Sequence, residues 1–239
     1  MSTVDKTIRC VYSTTMTSLS TLNDPRVAAA LERMFAEAEQ DDENWLRVEA
    51  SRPAGVRSTT SQERADAAAE IYMPISADGG RLLYSLIRAV RPQTVVEFGT
   101  SFGISTLHLA AAVRDNGLGR VLTTELSARK AAAARATFVE TGLDDVVTVL
   151  EGDAMETLPA HLDDGDGSVG FVLLDGWKDL YLPLLRLLEP RLAPGTLVVA
   201  DDADMKAVQP YLAYVRDVEN GYQSVLFPVE DGMEISCRV

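Results

Sequence analysis

Two kinds of hydrophobic patterning divide the chain. Up to Val90, apolar residues recur at helical spacing. Val27, Leu31, Met34, Phe35 and Ala38 follow the Asp24–Pro25 pair, which supplies an N-cap and a proline at the first helical position. Leu82, Leu83, Leu86 and Ile87 mark another helix over Ala77–Val90. Between the two, Thr60 to Glu63 has the form of a capping box, opening a helix that ends near Tyr72, ahead of the Met73–Pro74 break. The acidic run Asp41–Asp42–Glu43 reads as the stop of the first helix, residues 51–55 as a loop, and the Ser/Thr-rich residues 1–22 as a loose arm or partner-contacting tail.

From Thr94 the period changes to short apolar runs alternating with helical stretches, the pattern of a mostly parallel sheet. It predicts strands at Thr94–Glu97, Arg120–Glu125, Val146–Glu151, Val169–Asp175 and Thr196–Asp201. The intervening helices fall at Ile104–Val113, Ser127–Glu140, Ala154–Leu162 and Tyr181–Leu192, and a further one near Met205–Val218. Two β-rich runs close the chain, Ser224–Val229 and Met233–Arg238, with Asp231–Gly232 between them as a hairpin signal. The expectation is an α/β fold: a doubly wound, seven-stranded sheet, mostly parallel, ending in an antiparallel hairpin and preceded by helices. Residues 1–75 are expected to form a helical cap or oligomer segment, and 76–239 the core, of a single domain.

Parallel strands point the same way, so whatever ends them gathers along one edge of the sheet, where open α/β folds bind ligands. Here the strand ends are acidic. Glu97, Glu125 and Asp175 close strands, Asp153 sits just past the third, and Asp201–Asp202 close the fifth. The loop Gly99–Thr100–Ser101–Phe102–Gly103 leads into a helix N-terminus whose free N–H groups can meet a polar ligand. GxGxxG is absent, because Ser101 stands where its second glycine would be, and a pyrophosphate cradle is disfavoured. Glu125 is placed to accept hydrogen bonds from two ribose hydroxyls. The combination suggests a nucleoside cofactor without a diphosphate. Asp175, Asp201 and Asp202 would repel one another unless a cation or protonation offset their charge. All-oxygen ligation suits a hard divalent ion such as Mg²⁺ or Ca²⁺. His108, on an apolar helix, and His161, at a helix end, read as structural.

Composition narrows the partners. A net charge of −14 and a pI near 4.5 over 239 residues argue against nucleic acid and anionic membrane as partners. Apolar runs stay below the ~18 residues of a transmembrane span, and Asp5, Lys6 and Arg9 leave no apolar signal-peptide region. Cys10 and Cys237 lie at opposite ends without metal spacing, as in a reduced cytoplasmic protein.

Val95–Val96–Glu97–Phe98–Gly99–Thr100–Ser101–Phe102–Gly103–Ile104–Ser105 resembles the first motif of S-adenosylmethionine-dependent methyltransferases. Asp175–Gly176–Trp177–Lys178–Asp179 with Tyr181–Leu182–Pro183, and Ala200–Asp201–Asp202, resemble the cation-dependent catechol and caffeoyl-CoA O-methyltransferases. The similarity runs from Met73 to Val215, and residues 1–70 share only helical character. The resemblance implies a Rossmann-like class I domain that uses S-adenosyl-L-methionine and Mg²⁺, or another divalent cation such as Ca²⁺ or Mn²⁺, on a small phenolic substrate, and implies a homodimer. It assigns Glu97, Gly99 and Ser105, with backbone at Met73 and Ile75, to the methionine end of the cofactor, where the loop residues Ser101 and Gly103 also lie. It assigns Glu125 to the ribose, and Asp153, Ala154 and Trp177 to the adenine. Asp175, Asp201 and Asp202 would bind the metal, with Asp175 also beside the cofactor, and Lys178 would be the general base, able to take or screen the proton if its surroundings depress its pKa. Asp202 departs from the family's asparagine, and Ser101 and Gly176 replace bulkier residues, which is expected to open the pocket. A metal-independent methyltransferase and a catalytically silent cofactor-binding protein are the rival readings.

Overall fold

The helical first third contains α1 (Pro25–Ala38), α2 (Asp41–Ser51), α3 (Ser61–Ala67) and α4 (Ala77–Val90), in a computed structural model that describes residues 20–51, 60–162 and 169–239. Asp24 caps α1 through Arg26 N–H, and the Thr60–Glu63 capping box opens α3. One expectation is overturned. Asp41–Asp42–Glu43 does not merely end α1; it forms the first turn of α2, where the positive end of the helix dipole favours carboxylates. α3 is also shorter than expected, and residues 71–76 form neither helix nor strand. The arm expected over 1–22 and the loop over 51–55 lie mostly outside the described residues. Within them, Ser51 ends α2 and Thr21–Asn23 forms a 3-10 turn held to Asp115.

The remainder alternates as β1 (Thr94–Phe98), α5 (Ile104–Asn116), β2 (Arg120–Glu125), α6 (Ala128–Thr141), β3 (Val147–Glu151), α7 (Ala154–His161), β4 (Val169–Leu174), α8 (Tyr181–Leu188), β5 (Leu192–Ala200), α9 (Gln209–Arg216), β6 (Tyr222–Phe227) and β7 (Met233–Arg238). The strands form one sheet in the order β3-β2-β1-β4-β5-β7-β6. The first five pair in parallel, and β7 pairs antiparallel with both β5 and β6. Alternate strand residues feed two cores. Val95, Val121, Phe171, Leu173 and Val199 pack on one face with α1, α4, α5 and α6. Val96, Leu122, Val172, Leu174 and Val198 pack on the other with α7, α8 and α9. Burial on both faces is why these strands read as continuous apolar runs.

β5 starts at Leu192, four residues before the expected Thr196. The register slips between Val169 and Phe171 of β4, and this irregularity admits Pro194–Gly195, which carry a missing N–H and a positive φ.

Strand order reverses between β1 and β4, the switch point at which such sheets open a crevice. The two strand ends touch there. Asp175 N–H donates to Phe98 O at 2.9 Å, and a Cβ added to Gly99, at φ +103°, would stand 2.5 Å from Asp175 O. Gly99→Ala is therefore expected to destabilise the protein by about 2–4 kcal/mol, combining left-handed strain with backbone overlap. Urea denaturation monitored by circular dichroism measures it, and a loss under 1 kcal/mol would contradict this close approach.

Candidate active site

A cavity of about 570 Å³ opens over the carboxyl ends of β1, β2, β4 and β5. Five non-glycine residues among those described have positive φ, and four of them, Met73, Ser101, Asp202 and Glu230, line this cavity. Strained backbone concentrated at one place is a mark of a functional site.

One side of the cavity is built from the loop after β1 and the segment before α4. Ser101 N–H donates to Glu125 Oε2 at 2.8 Å, and Ser127 N–H donates to Oε1 at 2.7 Å, so the Glu125 carboxylate is fixed at the rim. Burial raises the Glu125 pKa, against the pull of those N–H groups and Lys130. Ser101 Oγ donates to Tyr72 O at 2.6 Å, and Phe102 stacks on Tyr72 with ring centroids 4.1 Å apart. Asp41 accepts Tyr72 N–H at 2.9 Å and Met73 N–H at 2.7 Å, and so holds Met73 in its left-handed conformation. Gly99, Ser101, Ser105, Met73 and Ile75 all line the cavity. Glu97 and Gly103 do not. Glu97 is fully buried beneath the floor and accepts hydrogen bonds from Ser105, Thr106 and Thr123 at 2.5–2.6 Å; burial raises its pKa. Its place is to fix Ser105 from below. Asp153 caps α7 through Met155 N–H at 2.8 Å and, with Ala154 and Trp177, forms the next stretch of wall. The Arg64 guanidinium lies 4.7 Å over the Trp177 ring and pairs with Asp179 at 3.0 Å, carrying α3 across the cavity mouth.

The other side is acidic. Asp175, Asp201 and Asp202 each offer an oxygen, all within 4.8 Å of one another. Burial pushes Asp175 up from the usual carboxylate range. It does the same to Asp201, where repulsion from Asp175 and Asp202 adds to it. Asp202 sits at φ +56°, a conformation that Asp and Asn tolerate better than most residues. Lys178 Nζ lies 2.7 Å from Asp202 Oδ2, donates to Tyr181 Oη at 2.8 Å, and is 3.4 Å from Asp175 Oδ1. Burial opposes the Lys178 charge, but Asp175 and Asp202 outweigh it and hold the pKa above its ordinary value.

Glu230 was missed in the sequence. It reaches the cavity from the turn before β7 and accepts Ser76 N–H at 2.7 Å. A partner 154 positions away leaves no sequence signal. The expected opening at Gly176 does not occur, because a Cβ there would stand 2.6 Å from the Phe98 ring, which already fills the space. His108 is buried with Nδ1 donating to Ile104 O, and His161 Nδ1 lies 2.9 Å from Thr157 O; neither lines the cavity.

The strand order, the loop after β1 and the acid-ended strands define the class I methyltransferase fold. Known structures agree. The O-methyltransferase from Bacillus cereus, solved with SAH, superposes at a TM-score of 0.61 with 18% identity over 87% of this chain and 100% of that one. The O-methyltransferase TomG from Streptomyces achromogenes, solved with SAM, gives 0.61 with 21% identity over 85% and 98%. A family model described as a methyltransferase domain matches residues 96–203. Catechol O-methyltransferase of Sus scrofa is 32% identical over 150 residues, covering 62% of this chain and 80% of that protein. Catechol O-methyltransferase B of Danio rerio is 32% identical over 177 residues, covering 70% of this chain and 66% of that protein, just under two thirds of its length. The chain belongs to the catechol O-methyltransferase family of S-adenosylmethionine-dependent enzymes. Among the described residues, no helix is long and apolar enough to cross a membrane.

Proposed function

We propose that this protein transfers the methyl group of S-adenosylmethionine to one hydroxyl of a catechol-like, vicinal dihydroxy aromatic, with a divalent cation, Mg²⁺ first, held by Asp175, Asp201 and Asp202. The observation that carries the reading is the convergence, in one cavity, of the three carboxylates, Lys178, the Gly99–Ser101 loop and Glu125. The donor set fits a hard cation: three oxygens, two of them on carboxyls that burial and mutual repulsion push toward protonation. When bound, such an ion supplies Lewis acidity that lowers the pKa of an acceptor hydroxyl.

This chain's own residues do the rest. Glu125, held by Ser101 N–H, anchors the nucleoside, and Ser105, fixed by Glu97, and Met73, fixed by Asp41, shape the methionine end. Trp177, braced by Arg64, walls the adenine. As the acceptor oxygen attacks, the new C–O bond forms and the C–S bond breaks. S-adenosylmethionine, when bound, would supply the methyl group and depart as neutral S-adenosylhomocysteine, and Lys178 Nζ is the residue to take the hydroxyl proton. Lys178 must be neutral to take it, and the charges of Asp175 and Asp202 oppose that. The same carboxylates would hold the cation, so cation binding and loss of the Lys178 proton are linked. Positioning of acceptor and methyl supplies much of the remaining rate.

One observation favours a metal-independent rival: the Lys178–Asp202 pair already neutralises part of the cluster. Methyl transfer to a panel of catechols and hydroxycinnamoyl compounds, with Mg²⁺ and with EDTA, separates the two. Turnover that depends on Mg²⁺ and stops in EDTA is expected. Turnover unchanged by EDTA would establish the rival, and transfer to no ortho-diphenol would remove the acceptor assignment.

A further inference from the structure

Lys130 breaks three habits of its residue type. It is the third residue of α6, in the turn where the helix dipole disfavours a cation. That position, three after the Ser127 cap, suits Glu or Gln, which can accept the cap's own N–H; an ammonium cannot. It is also only 3% exposed, although lysine is almost never buried without a partner. No salt bridge to its Nζ forms among the described residues; the Phe102 ring lies 5.5 Å away. Burial pulls its pKa down to about 8, while the charges of Glu125 and Asp41 support its proton.

These two acids are not equivalent. Asp41 is engaged by Tyr72 and Met73 N–H and lies outside the cavity wall, whereas Glu125 and Lys130 both line the cavity. Glu125 is itself pushed up by burial, and Lys130 is the cation that pulls it back down. A buried carboxylate in that position needs a compensating cation to stay ionised near neutral pH. An ionised carboxylate accepts a hydroxyl's hydrogen bond about twice as strongly as a neutral group does.

We propose that Lys130 is a positioning residue of the cofactor site, whose ammonium keeps the Glu125 carboxylate ionised as the acceptor for the ribose diol. The inference rests on the reading of this cavity as the S-adenosylmethionine site. It predicts a loss of affinity that depends on pH. Without Lys130, Glu125 takes up a proton as pH falls and its hold on the ribose weakens. At alkaline pH Glu125 is ionised with or without its neighbour.

The test is binding of 5′-deoxy-5′-methylthioadenosine by isothermal titration calorimetry at pH 6 and pH 9.5. This nucleoside has the ribose and adenine but no amino-acid group to titrate. Lys130→Met should bind about tenfold more weakly than wild type at pH 6 and within about twofold at pH 9.5. Lys130→Arg, which keeps the charge, should follow wild type at pH 6, and serves if the Met variant fails to fold. Equal loss at both pH values would show a merely structural role and overturn the proposal, as would no loss at either or an Arg variant as weak as Met at pH 6. Failure of wild type to bind either this nucleoside or S-adenosylhomocysteine would instead bring down the cofactor reading on which the inference stands.

Discussion

Asp201→Asn is expected to raise the melting temperature of the metal-free protein near pH 8 while lowering Mg²⁺-dependent methyl transfer by about a hundredfold or more. Both effects come from the same crowding. Burial, then Asp175 and Asp202, push the Asp201 pKa from 3.8 up to about 8. A group whose folded pKa is raised gives stability that is full below its unfolded value and lost as pH rises through the folded value. Metal-free wild type should therefore melt highest at acidic pH within that window and weaken toward pH 8. The neutral, isosteric asparagine removes the slope. Mg²⁺ competes with the proton, so it should raise the wild-type melting temperature more at pH 8 than at pH 5.5, and the variant's little at either. Differential scanning fluorimetry at the two pH values, with Mg²⁺ and with EDTA, reads this without any acceptor. A wild-type curve insensitive to both pH and Mg²⁺ would remove Asp201 from the cation site.

The frame of this site was legible because apolar strands buried on both faces leave continuous runs, and the acids that end them stand out: Glu125, Asp175, Asp201 and Asp202 were all readable from position. What could not be read was decided by contacts across the sheet edge. Asp41 looked like a helix stop because an acidic run suits a loop as well as a helix start. Only the fold shows its carboxylate on Tyr72 and Met73 N–H. Glu97, one residue before the end of β1, and Glu125, at the end of β2, looked alike, yet one is turned beneath the floor by Ser105, Thr106 and Thr123 and the other faces the cavity. Gly176 looked like an enlargement, but its missing side chain is matched by Phe98, 78 positions earlier and adjacent in space. Glu230 lies in a hairpin turn whose sequence signals only the turn, and its φ of +52° and its bond to Ser76 are tertiary facts.

Lys178→Met separates the structural from the catalytic role of the lysine. In the metal-free protein it leaves Asp175 and Asp202 without their cation and Tyr181 Oη without its donor, all buried or nearly so. Removing one partner of such a buried pair costs about 3–5 kcal/mol. The loss should be greatest at alkaline pH, where Asp175, its pKa raised by burial, is ionised, and Mg²⁺ should restore much of it by replacing the missing positive charge. The rate should not return. A general base contributes about 10²–10⁴-fold, and the variant should show kcat reduced within that range while the affinity for S-adenosylhomocysteine, which is bound by the loop and Glu125 on the other side of the cavity, stays within about threefold. Melting temperature, S-adenosylhomocysteine affinity and kcat, each measured with saturating Mg²⁺, decide the matter together. A variant whose stability and turnover recover in parallel would make Lys178 a counter-ion to the carboxylates, and the proton would then have to leave the acceptor by way of Asp202 or solvent.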